Sequence, residues 1–248
     1  MAEQRASMAA ALALVALLVP AAGRAQGTAF YSGEHSHGGE NPLVFMAMAE
    51  ELEWQDVGDG RLHWDVTAWA GRDDGRLMFR SEGTRTRNDN DETRMELVWW
   101  RPVGAWWNLV TGVRHDTGAG EARTYGLVGL QGTAPQRFGV RADLFAGERG
   151  QIGSRFEAEY RLLLTNRLIA TPRFEAEAYA KDDETTGIGS GLAEVTLGFR
   201  VRYEIRRQFA PYAGVEWTGS TGDTADIARA AGEPVRDTRA VVGLRVWF

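Results

Sequence analysis

Between Glu194 and Ile205 the chain alternates without a break. Val195, Leu197, Phe199, Val201, Tyr203 and Ile205 fall on one side, and Glu194, Thr196, Gly198, Arg200, Arg202 and Glu204 on the other. A period of two is the signature of an extended strand. Arg155 to Leu162 repeats the split, with Phe156, Ala158, Tyr160 and Leu162 against Arg155, Glu157, Glu159 and Arg161, and Phe138 to Ala146 puts Arg141 and Asp143 on its polar side. The last ten residues set Ala240, Val242, Leu244, Val246 and the terminal Phe248 against Arg245 and small residues. Such strands satisfy two architectures. A water-soluble sandwich turns the apolar face inward, whereas an outer-membrane barrel turns it to lipid and lines its lumen with the charges. A closing strand that ends on an aromatic residue is how barrels of the second kind finish.

Connection lengths favour the barrel. Twelve strand-like runs lie near 44–54, 62–71, 76–85, 93–101, 106–115, 123–131, 138–147, 153–164, 168–179, 193–205, 211–218 and 239–248. Each is close to the ~10 residues of a tilted membrane strand. Short links (Arg72 to Gly75, Pro102 to Ala105, Gly132 to Arg137, Thr165 to Arg167, Arg206 to Ala210) alternate with longer ones (Thr86 to Glu92, Asp116 to Ala122, Ala180 to Leu192, Gly219 to Thr238). Short periplasmic turns and longer external loops are the pattern of this class. The fold class expected is therefore all-β, a single antiparallel transmembrane β-barrel of the outer membrane with about 12 strands over residues 44–248. An even strand count leaves the N-terminal tail and the C-terminus on the periplasmic side. Pro172 falls inside a run and predicts a local bulge, since proline has no N–H to give to a ladder.

Upstream of the barrel, Arg5, the apolar run Met8 to Val19, Pro20 and the small residues before Gln26 read as a cleaved signal peptide over 1–25. Residues 26–43 are polar, glycine-rich and aperiodic, and read as a flexible periplasmic tail. The formal net charge of −6 argues against nucleic acid as a partner. With no cysteine in the chain, disulfides and thiolate metal sites are excluded, so soft-metal chemistry rests on Met and His.

Three stretches stand out: Glu157-Ala-Glu-Tyr-Arg-Leu-Leu-Leu-Thr-Asn-Arg-Leu-Ile, Tyr179-Ala-Lys-Asp-Asp with Gly187-Ile-Gly-Ser-Gly-Leu192, and Arg202-Tyr-Glu-Ile-Arg-Arg-Gln-Phe-Ala-Pro-Tyr212, with weaker echoes from Trp64 to Trp69 and from Ala225 to Glu233. In these the chain resembles one family, the bacterial copper resistance protein B of the outer membrane. The resemblance implies a non-enzymatic barrel that contributes to copper tolerance, by binding copper ions or limiting their accumulation in the periplasm. It also implies outer-membrane lipid and periplasmic copper-handling proteins as partners. Family members often carry a Met- and His-rich segment before the barrel; here the tail has His35 and His37 and no methionine.

Copper(I) prefers thioether and imidazole ligands and copper(II) prefers nitrogen and oxygen, so the candidate ligands are histidines and methionines. His35 and His37, spaced by one residue, can chelate a metal from the tail. His63 falls with Asp65 and Thr67 on the polar face of its run, and Met78 falls with Arg80 and Glu82, which predicts a lumenal group of His63, Met78 and a carboxylate. Met46 and Met48 are further thioethers, but simple alternation puts them with Leu52 and Trp54 toward lipid. Met95 goes with Leu97 and Trp99 in the same way. Two other classes compete. An outer-membrane hydrolase would need a serine, such as Ser81 or Ser154, beside His115 and Asp116; a passive porin or structural barrel would need no metal site at all.

Overall fold

The computed structural model describes residues 41–56, 60–86, 92–118, 120–183 and 185–248. The segments expected to be a signal peptide and most of a tail, with His35 and His37, lie outside the described residues. The strands are β1 (Val44–Gln55), β2 (Arg61–Arg72), β3 (Gly75–Thr86), β4 (Glu92–Pro102), β5 (Trp107–Thr117), β6 (Arg123–Ala134), β7 (Phe138–Gly147), β8 (Ile152–Glu159), β9 (Leu162–Leu163), β10 (Leu168–Tyr179), β11 (Gly191–Tyr203), β12 (Phe209–Ser220) and β13 (Arg236–Trp247). Each pairs antiparallel with its neighbour, and β13 pairs with β1, so the sheet closes on itself. The last residue takes part in the closure: Phe248 N donates to Ala47 O at 2.9 Å and Ala47 N donates to Phe248 O at 3.2 Å. β8 and β9 both pair with β10 and form one stave, giving the closed barrel its twelve staves.

The outside is apolar. Leu52, Trp54, Leu77, Leu97, Leu144, Leu197 and Val242 are all exposed, Val242 by 61%. An exposed apolar belt of this extent on a closed barrel is a lipid-facing surface, and it places the protein in the outer membrane. The inside is ionic: Glu51, Glu53, Arg80, Glu96, Arg114, Asp143, Arg155, Arg200 and Arg239 are all buried. Both described ends of the chain and the tight turns after β2, β4, β6, β9 and β11 share one end, which is the periplasmic end by the loop-length pattern. At that end the lumen wall carries an apolar cluster of Met78, Val98, Val110 and Leu127, flanked by Trp69 and Trp100.

Three details differ from simple alternation. Pro172 causes no bulge. The register of β10 against β8 and β9 runs on unchanged from Arg173↔Glu159 to Ala170↔Leu162, and only the ladder between them is interrupted, splitting β9 from β8. The missing proline N–H removes a bond without adding a residue. A slip further along β10, between Glu177 and Ala178, skips Ala193 of β11, and a bulge lies in β1 at Glu50, where the register slips against both β2 and β13. One extra residue keeps Glu50 and Glu51 on the same side, so the facing of everything before it is inverted. Met48 therefore lies opposite Thr67, itself opposite the buried Arg80, and Met46 lies opposite Trp69, itself opposite Met78. Both methionines face the lumen, away from the face of Leu52 and Trp54. Finally, the long connection after β12 contains a helix, α1 (Gly222–Ala231), with Asp223 in its first turn, Arg229 in its last and Gly232 at φ 75° as its left-handed C-cap.

Candidate metal centre in the barrel lumen

Beyond the bulge β1 regains strict alternation, and Glu51, Glu53 and Gln55 all point inward. The adjacent hairpin strand sets His63 directly opposite Glu53 and Asp65 opposite Glu51. Ligand atoms of Glu51, Glu53 and His63 lie within 4.8 Å of one another. His63 Nε2 is 3.3 Å from Glu51 Oε2. The carboxylates are held by side chains two to four staves away around the wall. Arg200 on β11 donates through Nε to Glu53 Oε2 at 3.1 Å and through Nη2 to Glu53 Oε1 and Glu51 Oε2, each at 3.0 Å, and to Glu216 Oε2 at 2.7 Å. Arg173 Nη1 donates to Glu51 Oε1 at 3.0 Å. Tyr212 Oη donates to Glu53 Oε2 at 3.0 Å, passing over Gly243, where a methyl group would stand 2.5 Å from that hydroxyl. Glycine at 243 is what lets the phenol reach the carboxylate.

Above this group is a cavity of about 520 Å³, with Glu51, Gln55, His63 and Glu175 toward its base and Glu121, Thr186 and Glu233 at its external rim. The rim is tied together by loop contacts. Arg123 Nη2 bonds Asp183 Oδ1 at 2.9 Å, Ser190 Oγ donates to Asp223 Oδ2 at 2.9 Å, and Gly189 N donates to Thr224 Oγ1 at 2.9 Å, joining the loop before β11 to α1. Around and beneath the centre, arginine–carboxylate pairs cross the lumen: Arg155 Nη1 to Glu82 Oε2 at 2.6 Å, Arg94 Nη1 to Glu177 Oε1 at 2.9 Å, and Arg141 Nη2 to Glu96 Oε2 at 2.6 Å. Planar guanidinium forks suit this bidentate bracing. The sole lysine of the chain, Lys181, lies outside the strands.

The sequence-derived group is only partly assembled. His63 does face the lumen with carboxylates, but Met78 is not beside it. His63 pairs with Thr84 of β3 while Met78 pairs with Trp69, an offset of about 20 Å along the strand at ~3.3 Å per residue. Met78 packs instead in the apolar cluster near the periplasmic end. Met48 Sδ receives Arg245 Nη2 at 3.3 Å, on the same side of the barrel wall as the ionic network. Met95 lies opposite Ser81 and His115 on the lipid-facing rows. Glu51, Glu53 and Arg200 were not singled out from the sequence. The alternation Glu51-Leu52-Glu53-Trp54-Gln55 was a visible signal for the first two; the cross-barrel reach of Arg200 had none.

The hydrolase arrangement does not form. Strand alternation sends His115 outward, where its Nδ1 meets Thr124 Oγ1 at 2.9 Å, and Asp116 inward, where Arg114 Nη2 donates to it at 2.6 Å. Ser81 Oγ, on the outer face, accepts from Trp64 Nε1 at 3.2 Å, and Ser154 pairs with the lipid-facing Leu144.

Comparison with known proteins agrees with the barrel fold. The solved structures it is similar to include the NanC porin (TM-score 0.53, 10% identity, 82% of this chain and 99% of that one) and the KdgM porin (TM-score 0.51, 13% identity, 83% and 99%). At such identities these likenesses concern the barrel fold alone. In sequence the chain is 45% identical over 219 residues to a "Copper resistance protein B homolog" of Pseudomonas syringae pv. tomato, covering 88% of this chain and 74% of the relative. It is 40% identical over 210 residues to "Copper resistance protein B" of Escherichia coli, covering 84% and 71%. The family model described as "Copper resistance protein B precursor (CopB)" matches residues 43–248, and the chain belongs to that family.

Proposed function

We propose that this outer-membrane barrel contributes to copper resistance by binding copper(II) inside its lumen, at Glu51, Glu53 and His63, and so limits the copper that reaches the periplasm. The observation that carries the reading is the convergence of two carboxylates and one imidazole within 4.8 Å at the base of a cavity lined outward to the external loops. Oxygen and nitrogen donors select the divalent ion over copper(I). The softer groups Met46, Met48 and Met78 lie on lumenal rows nearer the periplasm. They, with His35 and His37 of the tail, are secondary donors for copper, and the tail is where a periplasmic copper-handling protein would meet the barrel. A passive porin has less support, because the centre of the lumen is crossed by paired charges.

The test is calorimetric titration of the refolded protein with copper(II) and copper(I) separately. Copper(II) is expected to bind stoichiometrically, and His63→Ala or Glu53→Gln to weaken it at least tenfold. Binding unchanged in those variants but lost in the His35→Ala/His37→Ala double variant would move the site to the tail. No binding of either ion would overturn the reading.

A further inference from the structure

The buried polar atoms of this centre without a hydrogen-bond partner include Gln55 Oε1 and Arg200 Nη1. Gln55 is 2% exposed, lines the same cavity as Glu51 and His63, and uses its amide Nε2 to donate to Glu53 Oε1 at 2.8 Å. Its carbonyl oxygen is thus a buried acceptor left unused beside two carboxylates. Arg200 is the converse case. Its Nε and Nη2 already serve Glu51, Glu53 and Glu216, while its third nitrogen is idle. Idle guanidinium nitrogens recur along this lumen, but a buried amide oxygen left unused beside two carboxylates is the atom that marks an arrangement complete only in another state.

Charge says what that state holds. Glu51, Glu53 and Glu216 face Arg200, Arg173 and Arg239, the last with Nε at 3.1 Å from Glu216 Oε1. Arg173 also meets Glu157 and Glu175, and Arg239 also meets Asp237, so carboxylates outnumber the three guanidiniums and the centre favours a cation; Arg200 occupies the position between Glu51 and Glu53 that an added divalent ion would need. Yet Glu216 binds both Arg200 and Arg239, so Arg200 can leave Glu51 and Glu53 and keep a carboxylate partner on β12, the neighbouring strand.

We propose that Arg200 is a resident counter-cation of the Glu51–Glu53 pair which a divalent metal ion replaces, and that Gln55 Oε1 joins Glu51, Glu53 and His63 as a donor to the ion that takes its place. The proposal rests on the lumenal metal reading above and adds how that site is regulated. Arg200 keeps the carboxylates apart from stray cations and makes the bound metal releasable, because its guanidinium returns when the ion leaves. No bond is made or broken, and the step is an exchange of one cation for another.

The experiment titrates copper(II), with zinc(II) as a redox-silent control, into the full-length refolded protein, its Arg200→Met and Arg200→Lys variants, and Gln55→Leu. Arg200→Met is expected to tighten copper(II) at least tenfold, because it removes the competitor. Arg200→Lys, which keeps the charge but loses the fork, should fall between the two. Gln55→Leu should weaken binding severalfold. Heat-dependent gel migration of each variant reports whether the barrel has closed. If Arg200→Met folds and binds copper no tighter than the parent, Arg200 merely organises the carboxylates and the proposal is wrong. Should the methionine variant fail to fold, Arg200→Lys decides the point by the same comparison with the parent. Absence of binding in parent and variants alike would instead sink the lumenal metal reading on which the proposal rests.

Discussion

At the scale of single residues, the lumen is held by charges that have few alternatives once buried. Glu96 on β4 is 4% exposed and takes Arg80 from the adjacent β3, at 3.3 Å, and Arg141 from β7 across the lumen, at 2.6 Å. Asp143 remains to Arg141 if Glu96 is lost, at 2.5 Å, but the brace between distant strands does not. Removing one member of a buried pair strands the other's charge at a cost of about 3–5 kcal/mol. Glu96→Ala should therefore lower the urea midpoint of the vesicle-embedded barrel by that order of free energy. The Arg149–Glu121 pair, exposed on the external loops, is the control. Solvent screens such pairs, and Glu121→Ala should leave the midpoint where it was. Equal effects of the two substitutions would mean that water reaches the lumenal pairs freely and that they brace nothing.

At the scale of elements, the strands were legible and their irregularities were not. Period-two runs such as Glu194 to Ile205 and Arg239 to Phe248 carry both strand identity and facing in their residue types, and β11 and β13 fall where those runs are. The Glu50 bulge left no such mark, because Met46, Ala47, Met48 and Ala49 are neutral side chains that suit either face. Only pairing with β2 and β13 reveals the slip. For the same reason the sequence gathered His63 correctly toward carboxylates but grouped it with Met78: facing is local, whereas the distance between rows depends on register. Helix α1 carries alanines and a terminal glycine, but it lies in a connection with no strand period of its own. The bulge itself is testable. Deleting Glu50 would restore one-to-one pairing while leaving Met48 and Glu51 inward, so the variant should fold with near-parent yield, read by heat-dependent migration. Deleting Leu97 from β4, whose register against β3 and β5 is unbroken, would turn half a strand of charges to lipid and should abolish folding. If both deletions fold alike, strand register is not what fixes the ionic face.

At the scale of the whole molecule, the question is whether a closed barrel is also an open pore. The pairs that fill it join strands far apart around the wall: Arg173 of β10 with Glu51 of β1, Arg155 of β8 with Glu82 of β3, Arg94 of β4 with Glu177 of β10, and Arg200 of β11 with Glu53 of β1. These pairs bridge strands three to five staves apart at mid-height, with the cavity above facing outward and the Trp69–Trp100 cluster toward the periplasm. Braces packed this way should leave small solutes no continuous water path. Reconstituted in a planar bilayer, the protein should show conductance far below that of an open porin. Replacing Arg94, Arg155 and Arg173 together by serine removes three of the cross-lumen braces and shrinks the side chains that fill the gap. Steady conductance should then appear, provided the variant still closes. The sign of the selectivity is fixed by the same count. With three cations gone, Glu51, Glu82 and Glu177 are left in the channel, so the opened pore should favour cations. A parent protein that already conducts like an open porin would show the braces to be too loose to exclude ions, and passive passage would become the better account of the barrel.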